Sequence, residues 1–224
     1  MRDATGFGII WDMDGTLVDT AELHFAAWLR VCKEQSRDFS RADFAATFGR
    51  RNPEIVEFLF GKRFDAAQVA ELGERKEMFY RTEAAKGVTL LPGVRSLLQK
   101  WHRAGGKQAI GSSAPRANLG LILNRTTVAS FMDAVVGMED TQRGKPDPQV
   151  FLIAAAKLGL QPSKCLVVED AVAGVQAAKA GGMKCLAVRF VGHHSEANLK
   201  EAGADRVVTS LQDVSVPDIV ALLR

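Results

Sequence analysis

One feature constrains this chain more than any other. A short, unbroken apolar run, Phe7 to Trp11, ends abruptly in Asp12-Met13-Asp14-Gly15-Thr16. Continuous apolar character over so few residues suits a strand buried on both faces, as in a parallel sheet. The next segment is not another strand. From Ala21 to Lys86 the apolar residues recur near helical spacing. Leu23, Ala27, Leu29 and Val31 mark one helix, Phe44 to Phe48 a second, and Ile55, Phe58 and Leu59 a third. Val69, Leu72, Met78 and Phe79 mark a fourth inside the charged segment Ala66 to Ala85. A lone strand finds no partner among helices, so the first strand must pair with strands further along.

Those strands begin after Leu91-Pro92-Gly93, where the pattern becomes helix then strand, repeatedly. Helix 94–104 precedes strand 107–111, helix 116–123 precedes strand 134–137, and helix 149–158 precedes strand 165–168. Helix 174–180 then precedes strand 185–188, and a short strand, 206–209, comes before a C-terminal helix. This alternation calls for right-handed crossovers and a doubly wound parallel sheet. The predicted fold class is α/β with a Rossmann-like core formed by 1–20 and 88–224. An all-helical cap, 21–87, is inserted after the first strand. No repeat or low-complexity segment interrupts this division.

Composition removes several function classes. The chain has 224 residues, 47% hydrophobic and 25% charged, which excludes a disordered, collagenous or coiled-coil chain. Its longest apolar run, Val150 to Ala156, is far short of the ~20 residues that cross a bilayer. The N-terminal residues show no apolar stretch behind a basic head, so neither signal peptide nor membrane partner is expected. Lys+Arg 29 against Asp+Glu 26 gives a net charge of +3. The basic residues are scattered, the densest group being the pair Arg50-Arg51, so no nucleic-acid partner is expected. Cys32, Cys165 and Cys185 are odd in number and lack CxxC spacing. Buried, reduced thiols in a cytoplasmic protein are the expectation.

In a doubly wound sheet, ligands bind beyond the carboxyl ends of the strands, and four strand ends here carry unusual chemistry. Asp12 and Asp14, at i and i+2 where a strand gives way to a loop, can face one pocket, and Gly15 permits the turn. Paired acids can divide nucleophilic or metal-binding work from proton transfer; the plainer alternative is a turn in which Asp caps backbone amides. Ser112 and Ser113 end the next strand before a helix, an arrangement that suits a phosphate or an ordinary N-cap. Lys145 lies in Gly144-Lys145-Pro146, where a fixed ammonium can neutralise a phosphoryl group. Glu169 and Asp170 close a fourth apolar strand and, with the first pair, offer oxygen ligands for Mg²⁺; Asp170 as a helix cap is the alternative.

Taken together and in this order, Asp-x-Asp-Gly-Thr, Ser, Lys-Pro and Glu-Asp resemble the haloacid dehalogenase superfamily, in particular its phosphatases and phosphomutases. The resemblance covers nearly the whole chain, including the position of the helical insert. It implies that Asp12 is the nucleophile forming an aspartyl-phosphate and that Asp14 is the general acid/base. Thr16 and Ser112 would hold the phosphoryl oxygens, and Lys145 would bridge them to Asp12. Mg²⁺ would be bound by Asp12, the backbone carbonyl of Asp14, Asp170 and, directly or at one remove, Glu169. An acid at Asp14 also argues for a phosphate ester over a halide, whose displacement needs no proton donor.

Within the insert, Asp19-Thr20-Ala21-Glu22-Leu23-His24 resembles the opening of β-phosphoglucomutases and related sugar phosphatases, with Asp19 and Thr20 at the hinge. His24 is the candidate to support Asp14 or a substrate hydroxyl. Phe48-Gly49-Arg50-Arg51-Asn52 matches the substrate loop of the cap. There Asn52 stands where the mutases carry an Arg for the distal phosphate, with Arg50 and Arg51 just before it as substitutes. Lys76 matches a cap Lys that reaches the sugar; its alternative is the solvated face of a charged helix. The expected activity is thus a Mg²⁺-dependent phosphatase of small phosphate esters, acting as a monomer on sugar or polyol phosphates. β-Phosphoglucomutase is the second reading. A non-catalytic phosphate-sensing or protein-binding module, like the response-regulator receivers, is a third from another class.

Overall fold

Six short apolar segments become strands, and all pair in parallel: β1 (Gly8–Trp11), β2 (Lys107–Gly111), β3 (Ala134–Val136), β4 (Cys165–Glu169), β5 (Lys184–Val188) and β6 (Arg206–Val208). Their spatial order is β3-β2-β1-β4-β5-β6 among residues 3–224, which the computed structural model describes. β1 and β4 are buried along their whole length, as strands covered on both faces must be. Side chains alternate between two cores. Ile9, Trp11, Leu166 and Val168 join one cluster, while Ile10, Cys165 and Val167 join the other.

Helices cover both faces. α5 (Val94–Arg103) and α10 (Val216–Leu223) pack with the first cluster, and α7 (Gln149–Leu158) and α8 (Val172–Ala180) with the second. α6 (Arg116–Thr126) follows β2, and α9 (Glu196–Glu201) follows β5. α9 has no counterpart in the sequence reading. It is six residues long with a single buried side chain, Leu199, too short to express a period.

Four helices lie between β1 and α5: α1 (Ala21–Glu34), α2 (Arg41–Thr47), α3 (Asn52–Phe60) and α4 (Ala66–Ala84). Capping boxes at Ser40/Asp43 and Asp65/Gln68 start α2 and α4, satisfying amides that helix geometry leaves free. α1 buries Ala21, His24, Ala27, Trp28, Val31 and Cys32, whereas Leu29, counted by periodicity as apolar face, is exposed. The chain leaves and re-enters the sheet side by side. Asp19 N donates to Thr89 O (3.1 Å) and Leu91 N to Leu17 O (3.0 Å), around an antiparallel bridge of Val18 with Leu90.

The strand order places the site. From β1 the chain builds outward to β2 and β3 on one side, then to β4, β5 and β6 on the other. The reversal between β1 and β4 opens a crevice at their carboxyl ends, where Asp12 and Glu169-Asp170 stand. All three cysteines are buried and unpaired. No helix of the described residues is long and apolar enough to cross a membrane.

Candidate active site

Asp12 leaves β1 with its amide still in the sheet, donating to Val168 O at 3.0 Å. Its Oδ1 accepts from Lys145 Nζ at 2.6 Å, and the same ammonium donates to Glu169 Oε1 at 2.6 Å. The other Glu169 oxygen accepts from the amides of Asp170 (2.7 Å) and Ala171 (2.6 Å). Glu169 therefore anchors Lys145 and the start of α8, and Asp12 and Asp170 are the carboxylates beside it that could hold a cation. Asp170 does not cap α8, whose N-cap is Ala171. Lys145 is 1% exposed and stays an ammonium: burial opposes its charge, but Asp12 and Glu169 outweigh burial and push its pKa up.

Ligand oxygens of Asp12, Glu169 and Asp170 lie within 4.8 Å of one another. With all three ionised, Lys145 supplies the only positive charge in contact with them among the described residues, a deficit that low-dielectric surroundings make costly. Burial, reinforced by Glu169 and Asp14 against the pull of Lys145, pushes Asp12 up to about 7. Burial, then Glu169 and Asp12, push Asp170 well above the carboxylate range. An acid cluster short of positive charge fits a hard divalent cation such as Mg²⁺. Two further features fit the same use. The Thr16 hydroxyl is buried without a hydrogen-bond partner. Gly15, at φ +83°, passes so close to the Asp170 carboxylate that a Cβ would collide with it. The Asp14 carboxylate lies outside this acid cluster, so its side chain does not take the metal role expected of it.

That carboxylate is held by the helical insert. Asp14 Oδ1 accepts from Thr20 Oγ1 (2.6 Å) and Tyr80 OH (3.0 Å). His24 Nε2 lies 3.1 Å away, off the axis of an aligned hydrogen bond. Lys76 Nζ sits 2.7 Å from His24 Nδ1. An ammonium can only donate, so Nδ1 accepts and Nε2 carries the imidazole proton. Burial works against ionisation of Asp14, but His24, Thr20 and Lys76 together hold its pKa below the ordinary range. Tyr80 also stacks on the His24 ring, with centroids 4.1 Å apart.

Asp12 and Asp14 open onto a narrow cleft between the sheet and the helical insert. Ser112, Ser113, His24, Gly49, Arg50, Asn52 and Lys76, all anticipated from sequence, line it. Ser112 Oγ accepts from Ala114 N at 3.1 Å; it caps that turn and not α6, whose N-cap is Pro115. Gly49, at φ +85°, brings the loop before α3 against Ala171. The two arginines diverge. Arg50 faces the cleft, while Arg51 lies over Gly144 and donates to Gln142 O at 2.9 Å. Lys76 is 3% exposed, so it belongs to the cleft and not to a solvated helix face.

Sequence reasoning missed Tyr80, Glu77, Asn118 and the apolar wall formed by Trp28, Phe44, Phe48 and Ile55. Tyr80 was within reach, because it lies one helical turn after Lys76 and so shares its face. Trp11 forms an unanticipated polar contact, its indole donating to Gln108 Oε1 at 3.1 Å inside the core.

Comparison with known proteins agrees with this geometry. The haloacid dehalogenase-like hydrolase family matches residues 9–188. A β-phosphoglucomutase of Bacillus subtilis is 33% identical over 215 residues, covering 93% of this chain and 91% of the relative. The fructose-1-phosphate phosphatase YqaB of Escherichia coli is 31% identical over 186 residues, covering 82% and 97%. In structure, a β-phosphoglucomutase from Clostridium difficile superposes with a TM-score of 0.86 over 98% of this chain and 97% of that one, at 24% identity.

Proposed function

The chain belongs to the haloacid dehalogenase-like hydrolases, in the branch of β-phosphoglucomutases and sugar phosphatases, and from that premise we propose a Mg²⁺-dependent phosphatase of sugar or polyol phosphates. The observation that carries the reading is the division of labour between two acids two residues apart. Asp12 is bound to the Lys145 ammonium and faces the acid cluster, whereas Asp14 is bound to Thr20, Tyr80 and His24. One environment suits a nucleophile and the other a proton carrier.

Asp12 attacks phosphorus, and the bond to the ester oxygen breaks as Asp14 delivers a proton to that oxygen. In the resting site Asp14 is ionised. An incoming phosphoryl group opposes the influence of His24 and Lys76 and raises Asp14, so that it takes up a proton. Water then attacks the aspartyl-phosphate, its proton passes to Asp14, and inorganic phosphate and Asp12 are regenerated. Lys145, Thr16 and Ser112 hold the phosphoryl oxygens, since phosphoryl transfer depends chiefly on position and charge neutralisation. Asp12, Asp170 and the Asp14 carbonyl would hold Mg²⁺, which offsets charge repulsion between the nucleophile and an anionic ester. We place the activity in the cytoplasm, in keeping with three buried, unpaired thiols, and in a monomer, because the helical unit has to open to admit substrate.

A ³¹P NMR time course with Mg²⁺, β-glucose 1-phosphate and a trace of glucose 1,6-bisphosphate separates hydrolysis from mutase activity. Free phosphate is expected, from this ester or from a panel of sugar phosphates. Glucose 6-phosphate accumulating without free phosphate would make the chain a mutase, in line with its Bacillus subtilis relative. Asp12→Asn should abolish turnover with the fold intact, and retained turnover would sink the assignment.

A further inference from the structure

The cleft contains a buried carboxylate that the reaction does not use. Glu77, on α4, is 3% exposed and lines the cleft beside Lys76. Both of its oxygens are occupied. Oε1 accepts from Lys76 Nζ (2.9 Å) and Asn52 Nδ2 (2.8 Å), and Oε2 accepts from Asn118 Nδ2 (2.7 Å). These donors come from α4, α3 and α6, so the carboxylate is fixed by two helices of the insert and one of the sheet domain. Burial disfavours its charge, but Lys76, His24 and Asn52 outweigh burial and hold it ionised.

This arrangement sets the charge that a substrate's non-reacting end encounters. Lys76 is the buried cation on this side of the cleft, and Glu77 cancels it. Arg50 stands at the exposed rim. The rest of the wall consists of Trp28, Phe44, Phe48 and Ile55, with Thr47 and Asn52 as neutral polar groups. Aromatic and amide surfaces suit an uncharged, hydroxylated carbon skeleton. A second phosphate or a carboxylate would instead meet a neutralised Lys76–Glu77 pair, with no free buried cation among the described residues to receive it. Specificity of this kind rests on withholding the counter-charge that a second anionic group would need, so that its desolvation goes uncompensated.

We propose that Glu77 is a specificity-determining residue that restricts the site to phosphate monoesters with an uncharged leaving group and excludes bisphosphates and phosphorylated acids. The inference rests on the phosphatase reading above and deepens it. It also bears on the mutase alternative, which requires a sugar bisphosphate to occupy the same cleft.

The test compares phosphate release from fructose 1-phosphate and fructose 1,6-bisphosphate, with p-nitrophenyl phosphate as a general ester, in the full chain with Mg²⁺. The wild type should favour the monophosphate over the bisphosphate in kcat/KM by at least about tenfold. Glu77→Gln keeps the shape and removes the charge. It should shrink that preference by about tenfold, chiefly through a lower KM for the bisphosphate. A wild type that hydrolyses both sugars equally would overturn the role of Glu77 without any variant, and so would an unchanged preference in a folded Glu77→Gln. A wild type inert toward p-nitrophenyl phosphate and both sugars would overturn the phosphatase reading itself, and this inference with it.

Discussion

Lys145 and Asp12 stand 133 positions apart in sequence, and the Lys145 ammonium lies 2.6 Å from the Asp12 carboxylate. The contact exists because β1 and β4 are neighbours in the sheet and the loop carrying Lys145 folds over their ends. The same nitrogen also holds Glu169 at 2.6 Å, so a single side chain sets both the orientation of the proposed nucleophile and the charge behind it.

Removing that ammonium leaves buried carboxylates without their cation. Lys145→Met should cost about 3–5 kcal/mol of stability near pH 8, because breaking a buried pair strands the remaining charge. The loss should shrink toward pH 5 to 6, where the stranded acids protonate. Phosphate release should fall by about 10²–10³-fold, the scale of losing one preorganised charge in a site. Urea denaturation at two pH values measures the first effect, and a loss independent of pH would contradict it.

The raised pKa values of Asp12 and Asp170 predict the pH dependence of metal binding. Each folded-state value lies above that of the unfolded chain, so without metal the folded state binds protons that the unfolded state releases. Stability from Asp12 is present at low pH and is lost as pH rises from about 4 toward its folded value near 7, and that from Asp170 is lost in the same direction. Mg²⁺ must displace the same protons, so it binds more weakly in acid. A fixed Mg²⁺ concentration should therefore raise Tm more at pH 8 than at pH 6. Equal shifts at the two pH values would show that these carboxyls do not titrate with the metal.

Gly15 is required at its position for two reasons, its left-handed backbone and its contact with the Asp170 carboxylate. Gly15→Ala should cost about 1–3 kcal/mol for the strained backbone alone and should displace Asp170. Isothermal titration with Mg²⁺ should then show weakened binding, whereas unchanged affinity would mean that Asp170 does not ligate.

What could be read from sequence came from contrast. Asp12, Asp14, Glu169 and Asp170 each interrupt or close an apolar strand, and Lys145 sits in a Gly-Lys-Pro turn, so chemistry stood out against the core pattern. The alternation after Pro92 likewise conveyed the parallel sheet. The insert gave no such contrast. Lys76 and Glu77 lie in a helix whose sequence reads as uniformly charged, and only the packing of α1, α3 and α6 around them reveals a buried ion pair. Arg50 and Arg51 are identical side chains on adjacent residues, and the turn before α3 sends one to the cleft and the other to Gln142. Asn118 carried no signal, because its partner is 41 positions away on another helix.

Tyr80 gives the most direct test of how the insert controls Asp14, the proposed proton carrier. Its hydroxyl donates to Asp14 Oδ1 at 3.0 Å and so stabilises the ionised form of that acid. Tyr80→Phe removes this donor and keeps the ring stacked on His24. A hydrogen bond to a charged group contributes about 1.5–3 kcal/mol, so its loss should raise the Asp14 pKa by about one unit or more. The sign of the pH effect is fixed as well. Losing a donor to the ionised form raises the Asp14 pKa, so the limb of the pH–rate profile that reports this group should move to higher pH. A structural role for the ring alone predicts lower stability with that limb in place. A full pH–rate profile of Tyr80→Phe, recorded with Mg²⁺ on p-nitrophenyl phosphate, distinguishes the two.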